Sequence, residues 1–212
     1  MEKILTNDEL HRSSRYFRDH DRHRFTLSRG LLRLVLSQYL GIPAQSIRFA
    51  IGANKKPFIE GAATTHFNVS HAGDWALIAI ASYPVGIDVE AIDEAYNYNE
   101  ILDHCFSETE VQSLAVSAEP RMQFYTSWTR KEALLKATEK GIDDDLAFVP
   151  SLDGAHIVSP GKIGSAHDWN VLSFPPATGY AAAVAAPAFV DAVLFFEGMN
   201  ILEAYSAAAT TA

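Results

Sequence analysis

The chain has a single cysteine, Cys105, among 212 residues. It therefore has no internal disulfide, and a reducing compartment is the natural setting. No apolar run approaches the ~20 residues needed to span a bilayer. The first residues, Met1 to Asp8, lack the apolar core of a signal peptide. A cytoplasmic protein with no membrane partner is expected. Positive charge is also in deficit. The formal net charge of −9 argues against a general nucleic-acid binder. No stretch rich in Gly, Pro or Ser separates one part of the chain from another.

What is present is ordinary globular composition, 48% hydrophobic and 20% charged. That suits one domain or two small lobes. The charge is nevertheless uneven, with Arg12, Arg15, Arg18, Arg22, Arg24, Arg29 and Arg33 close together in the chain. This segment suits an anionic ligand or an acidic partner. Asp19 and Asp21 equally allow a solvated helix face.

Periodicity predicts helices over residues 8–19 and 21–40, the second closed by Gly41 and Pro43. Short strands follow at 47–50, 66–70, 75–81 and 85–90, read together as an antiparallel meander. His71 to Asp74 is read as a turn, as is Asn54 to Pro57. The pattern then becomes helical at 99–105, where Cys105 beside Phe106 reads as a structural thiol. Ser107 stands at capping-box distance from Glu110, and a long helix over 121–140 is stopped by Gly141. The run Asp143–Asp145 reads as a solvated acidic loop and the alanine-rich tail as frayed. Strands are expected at 169–174 and 180–186. Helix and strands thus occur twice, which predicts an α+β fold of two packed lobes, residues 1–90 and 91–212.

Two acidic clusters carry the chemistry. In Ile87-Asp88-Val89-Glu90, strand alternation puts Ile87 and Val89 on one side and Asp88 and Glu90 on the other. A strand ending at a solvated edge would explain the pair. In the long helix, Tyr125, Trp128, Glu132 and Leu135 share one face, which turns Glu132 inward. A buried carboxylate needs a partner. Lys136, one turn on, is one candidate; a divalent cation shared with Asp88 and Glu90 is the other. Magnesium suits an all-oxygen set completed by substrate phosphate and water.

Three segments occur in a fixed order: Asn68-Val69-Ser70-His71-Ala72-Gly73-Asp74-Trp75, then Gly86 to Glu90 followed by Phe106-Ser107, then Trp128-Thr129-Arg130-Lys131-Glu132-Ala133 to Lys136 and Gly141. In that order they resemble 4′-phosphopantetheinyl transferases of the surfactin-synthetase (Sfp) type. The resemblance runs from about Arg12 to Gly141 and more loosely beyond. It implies a pseudodimer of two similar α+β lobes, each with helices on a small, mainly antiparallel sheet. It also implies coenzyme A as co-substrate, magnesium as cofactor, and an acyl or peptidyl carrier protein whose serine receives phosphopantetheine, the holo-carrier-protein synthase reaction. By the same resemblance Asp88, Glu90 and Glu132 hold the metal, Lys136 contacts the coenzyme A phosphates, and either Glu132 or a metal-bound water is the base that takes the carrier serine's proton. Arg24, His71 and Arg12 match contacts to the 3′-phosphate, Lys56 and Pro57 a turn near adenine and phosphates, and Ser70 a residue near the pyrophosphate. Lys55 and Ala72 stand where the family commonly has glycine and serine. Such a chain is expected to be a monomer, since two lobes form the cleft without a second copy. The competing reading is a coenzyme A- or carrier-binding module without catalysis. A third is another magnesium-dependent phosphoryl enzyme.

Overall fold

The structure, a computed structural model, describes residues 1–52, 54–141, 146–152, 165, 168–198 and 200–201. Contacts cluster into two compact units. One is Met1–Ala50 with Ile59–Ala62 and the segment that starts at Ala192; the other is Ile51–Phe58 with Ala63–Asp191. The acidic run 143–145 and the tail 207–212 lie outside the described residues.

In the first unit, α1 (Asn7–Ser14) begins with a reciprocal capping box between Thr6 and Glu9. It stops well short of residue 19. Helix α2 (Asp19–Leu40) starts sooner than expected, because Asp19 and Asp21 place negative charge at the positive end of the helix dipole. It ends, as expected, at Gly41 in the left-handed region, φ 64°. The arginine-rich segment does not act as one patch. Arg33 is buried, with Nε and Nη2 donating to the two Glu9 carboxylate oxygens at 2.7 and 3.0 Å. Its Nη1 donates to the carbonyls of Ala44 and Ile47. This bidentate pair is structural. Arg22 and Arg24 each pair with an aspartate three residues earlier, at 2.7 Å. Arg12 is exposed, its guanidinium 5.2 Å from the centre of the Phe25 ring. Next in the chain come the short strands β1 (Phe49–Ile51), later than the 47–50 expected, and β2 (Pro57–Ile59); Ile51, Pro57 and Phe58 belong to the second unit.

In the second unit, β3 (His66–Ala72) and β4 (Trp75–Ala81) form a hairpin, with Ala72 opposite Trp75. Gly73 makes its turn at φ 52°. His71 therefore lies on a strand and not in the turn expected for it, because the ladder runs to the last residue before Gly73. The four-strand meander is also corrected. Strand β5 (Gly86–Ala91) pairs antiparallel with β7 (Tyr180–Pro187), which pairs with β6 (Trp169–Phe174). A boundary after residue 90 would sever β5 from this partner.

Helices α3 (Asn99–Cys105) and α4 (Glu108–Ala115) follow β5, with Ser107 and Glu110 in the expected capping box. Helix α5 (Pro120–Thr138) packs on β5, β7 and β6. The alanines of β7 permit the close approach: Ala183 and Ala185 meet Ala133, Leu134 and Ala137, with Trp169 and Val171 completing the core. Glycine 86 sits against the helix itself, so that a Cβ there would strike the Ala133 carbonyl and the Ala137 nitrogen. The helix ends at Thr138, two residues short of the expected Lys140, with Glu139 left-handed at φ 62°.

Lys131 is wholly buried inside this unit. Its Nζ donates to Glu110 Oε2 at 2.9 Å and to the carbonyls of Leu146 and Val149. Burial pushes its ammonium below the usual lysine range, opposed by Glu110. The other Glu110 oxygen accepts from Ser151 N and Oγ at 2.9 and 2.6 Å. Cys105 is half-buried against the same core, and burial raises its thiol above the ordinary range. Both residues are structural.

Candidate active site

The site is assembled on β3, β5 and α5. Strand β3 runs beside β5, and its side chains take the β5 amides: Ile87 N donates to Asn68 Oδ1 at 2.8 Å and Val89 N to Ser70 Oγ at 3.3 Å. Asn68 and Ser70 are two apart, so they share one face of β3. Asn68 was not among the expected site residues. Its place in the ordered motif was visible, and the same alternation that pairs Asp88 with Glu90 pairs it with Ser70.

Ser70 donates onward to Asp88 Oδ1 at 2.8 Å. Lys136 Nζ meets the same oxygen at 2.5 Å and stands 3.3 Å from Ser70 Oγ. The lysine that sequence offered as a partner for Glu132 thus closes on Asp88. Asp88 does not face solvent as a strand edge would; it is 2% exposed. Its second oxygen, Oδ2, is buried with no hydrogen-bond partner among the described residues. An orphaned carboxylate oxygen costs free energy until something pairs with it.

Glu90 and Glu132 line the same cavity, of about 340 Å³, with Ser70, His71, Asp88, Trp128 and Lys136. His71 is exposed at its rim. Burial is the first cause raising Glu90 from 4.5 to about 7; repulsion from Asp88 and Glu132 adds to it and Lys136 opposes it. Glu132 is also raised, by burial and then by Asp88, against Lys136. An adjoining cavity is lined by Lys55, Lys56, Pro57, Glu132, Lys136 and Glu139. Arg12 and Arg24 lie on α1 and α2 as described above.

Among the described residues, no three His, Cys, Asp or Glu side chains stand ready-made around one metal position. The residues nevertheless fit a hard cation: the donors are all carboxylate oxygens, one is orphaned, and two carboxyls are held above their usual range by burial and mutual repulsion.

The Glu90 shift has a consequence for stability. Its folded pKa lies above its unfolded value, so its contribution is fully present below pH 4.5 and is lost as pH rises through about 7. Glu90→Gln, neutral throughout, is expected to match the parent near pH 4.5 and to exceed it above pH 7 in metal-free buffer. Because Glu90 is only half-buried, solvent screening reduces the gain to about 1–2 kcal/mol, or roughly 2–8 °C in melting temperature. Melting curves from pH 4.5 to 8.5 check this, and a gain that is equal at both ends would refute it.

Asp88, Glu90, Glu132 and Lys136 thus line one cavity. Comparison with known proteins shows the family of the chain. Residues 1–83 match the family model for the 4′-phosphopantetheinyl transferase N-terminal region, and residues 84–185 that for the 4′-phosphopantetheinyl transferase superfamily. The chain is 31% identical over 195 residues to the 4′-phosphopantetheinyl transferase HetI of Nostoc sp., covering 87% of this chain and 79% of the relative. It is 31% identical over 141 residues to Sfp of Bacillus subtilis, covering 66% and 62%. It is 37% identical over 131 residues to gsp of Aneurinibacillus migulanus, covering 60% and 53%. The chain belongs to the 4′-phosphopantetheinyl transferase superfamily, and the α+β fold with small antiparallel sheets is that expected of it. No helix among the described residues is long and apolar enough to cross a membrane.

Proposed function

We propose that this chain transfers 4′-phosphopantetheine from coenzyme A to a serine of an acyl or peptidyl carrier protein, with magnesium as cofactor. The observation that carries the reading is the buried Asp88, with one oxygen on Lys136 and the other orphaned, in one cavity with Glu90 and Glu132. A module that only bound coenzyme A would have no need of so costly a cluster.

Asp88, Glu90 and Glu132 would hold the magnesium ion, which when bound would offset charge developing on the pyrophosphate. Lys136 presents a fixed positive charge at the same place. The carrier serine Oγ forms a bond to the phosphorus that bears pantetheine. The bond from that phosphorus to the bridging oxygen breaks, and the electron pair leaves with adenosine 3′,5′-bisphosphate. Glu132 takes the serine proton. His71, exposed at the rim, serves the 3′-phosphate.

The test is the intact mass of apo fatty-acid, polyketide and peptide carriers after incubation with coenzyme A. A phosphopantetheine increment with magnesium, absent in a chelator, is expected. No increment on any carrier would defeat the transfer reading. An equal increment in chelator would defeat the metal assignment alone.

A further inference from the structure

Lys56 is expected from resemblance to touch adenine or phosphate, but its ammonium is engaged elsewhere. Its side chain is 10% exposed. Nζ donates to the Lys136 carbonyl at 2.7 Å and to the Val85 carbonyl at 3.2 Å, with Glu139 Oε1 3.8 Å away. Two of its three donors are thus spent on backbone. Burial lowers its pKa, opposed by Glu139.

Both carbonyls are telling. Lys136 O is among the last four carbonyls of α5, which have no partner inside the helix. A cation there also meets the negative end of the helix dipole. From the same turn, Asn54 Nδ2 donates to the carbonyl of Glu139, the left-handed residue that ends the helix. Val85 precedes Gly86, the point where β5 touches the backbone of α5. The turn itself is held by Gly52 N donating to Lys56 O at 2.9 Å and Lys55 N to Gly52 O at 3.0 Å. One ammonium therefore ties the residue before β5 to the last turn of α5, next to the glycine that sits against the helix backbone. The residue whose carbonyl it holds, Lys136, is the one whose side chain reaches Asp88.

We propose that Lys56 is a positioning residue for the transfer reaction: it caps α5 from outside the helix, pins that helix to β5, and thereby holds the Lys136 ammonium on Asp88. The role in catalysis rests on the function proposed above; the clamp itself does not.

Lys56→Met keeps the apolar stem and removes the donors. In substrate-free protein, hydrogen exchange at the amides of residues 134–139 is expected to quicken by at least about 10-fold, with β6 and β7 unaffected. Unchanged exchange there overturns the clamp, whatever the chain's activity. In transfer assays, kcat is expected to fall about 10²-fold with KM for coenzyme A within about 3-fold of the parent. A raised KM with an unchanged kcat would make Lys56 a substrate contact and overturn the proposal. A double-mutant cycle separates positioning from general weakening: Lys56→Met added to Lys136→Met is expected to cost little further activity, and fully additive losses overturn the coupling. A parent protein that modifies no carrier would defeat the functional reading alone, leaving hydrogen exchange to decide the clamp.

Discussion

Asp88→Ala is expected to lower transfer to an apo carrier by at least about 10³-fold while leaving a folded protein. The carboxylate loses nothing that another residue supplies: it accepts from both Ser70 and Lys136 and contributes the orphaned Oδ2. The fold has less at stake. Lys136 is 30% exposed and regains water when its partner goes. Ser70 Oγ still accepts from Val89 N, so β5 stays fixed to β3. The change in metal-free stability is therefore expected to stay within about 2 kcal/mol. Carrier mass against time measures the first effect and a melting curve the second. Full modification at the parent's rate would remove Asp88 from the site. Loss of activity together with unfolding would reassign it to the core.

The second large effect is of the opposite kind. Gly86→Ala is expected to cost about 3–5 kcal/mol, at or above the upper end for overpacking, because the obstacle is backbone and cannot rotate away. The added methyl would meet the Ala133 carbonyl and the Ala137 nitrogen. Either β5 leaves the sheet it shares with β7, or α5 lifts from the alanines beneath it. For a protein of this size a melting temperature lower by roughly 10 °C or more follows, and activity falls with it. A variant as stable as the parent would show that β5 and α5 are not packed this closely. The two substitutions are two residues apart on one strand and should separate cleanly, one silencing the site with the fold kept, the other breaking the fold.

Much of this was legible in the residues. The capping box at Ser107 and Glu110, the stop of α2 at Gly41, and strands β4, β6 and β7 follow local rules that neighbours along the chain satisfy. The ordered motifs located Asp88, Glu132, Lys136 and Ser70, and the structure brings all four to one cavity with Glu90 and His71.

What failed were statements about partners distant in sequence. Alternation correctly separated Ile87 and Val89 from Asp88 and Glu90, but it could not say that the acidic side is covered. Asp88 is buried because β3 and α5 close over it, and neither lies within ten residues of it. Helical spacing turned Glu132 toward the site, yet it offered Lys136 to the wrong carboxylate, since the i, i+4 rule sees only one helix. Lys131 could not be placed inside at all; its burial depends on Glu110 and on two carbonyls beyond α5. The pairing of β5 with β7, almost a hundred residues on, was read as a local meander because hairpins between consecutive strands are the simpler choice.

By itself, then, the amino-acid order determined which residues carry charge, where most of the longer helices and strands lie, and which family the chain resembles. Only the tertiary structure decided which carboxylate meets Lys136, which oxygen is left without a partner, and what Lys56 holds. Local propensity is settled by neighbours in the chain, whereas burial and ion pairing are settled by whichever distant surface arrives to exclude water.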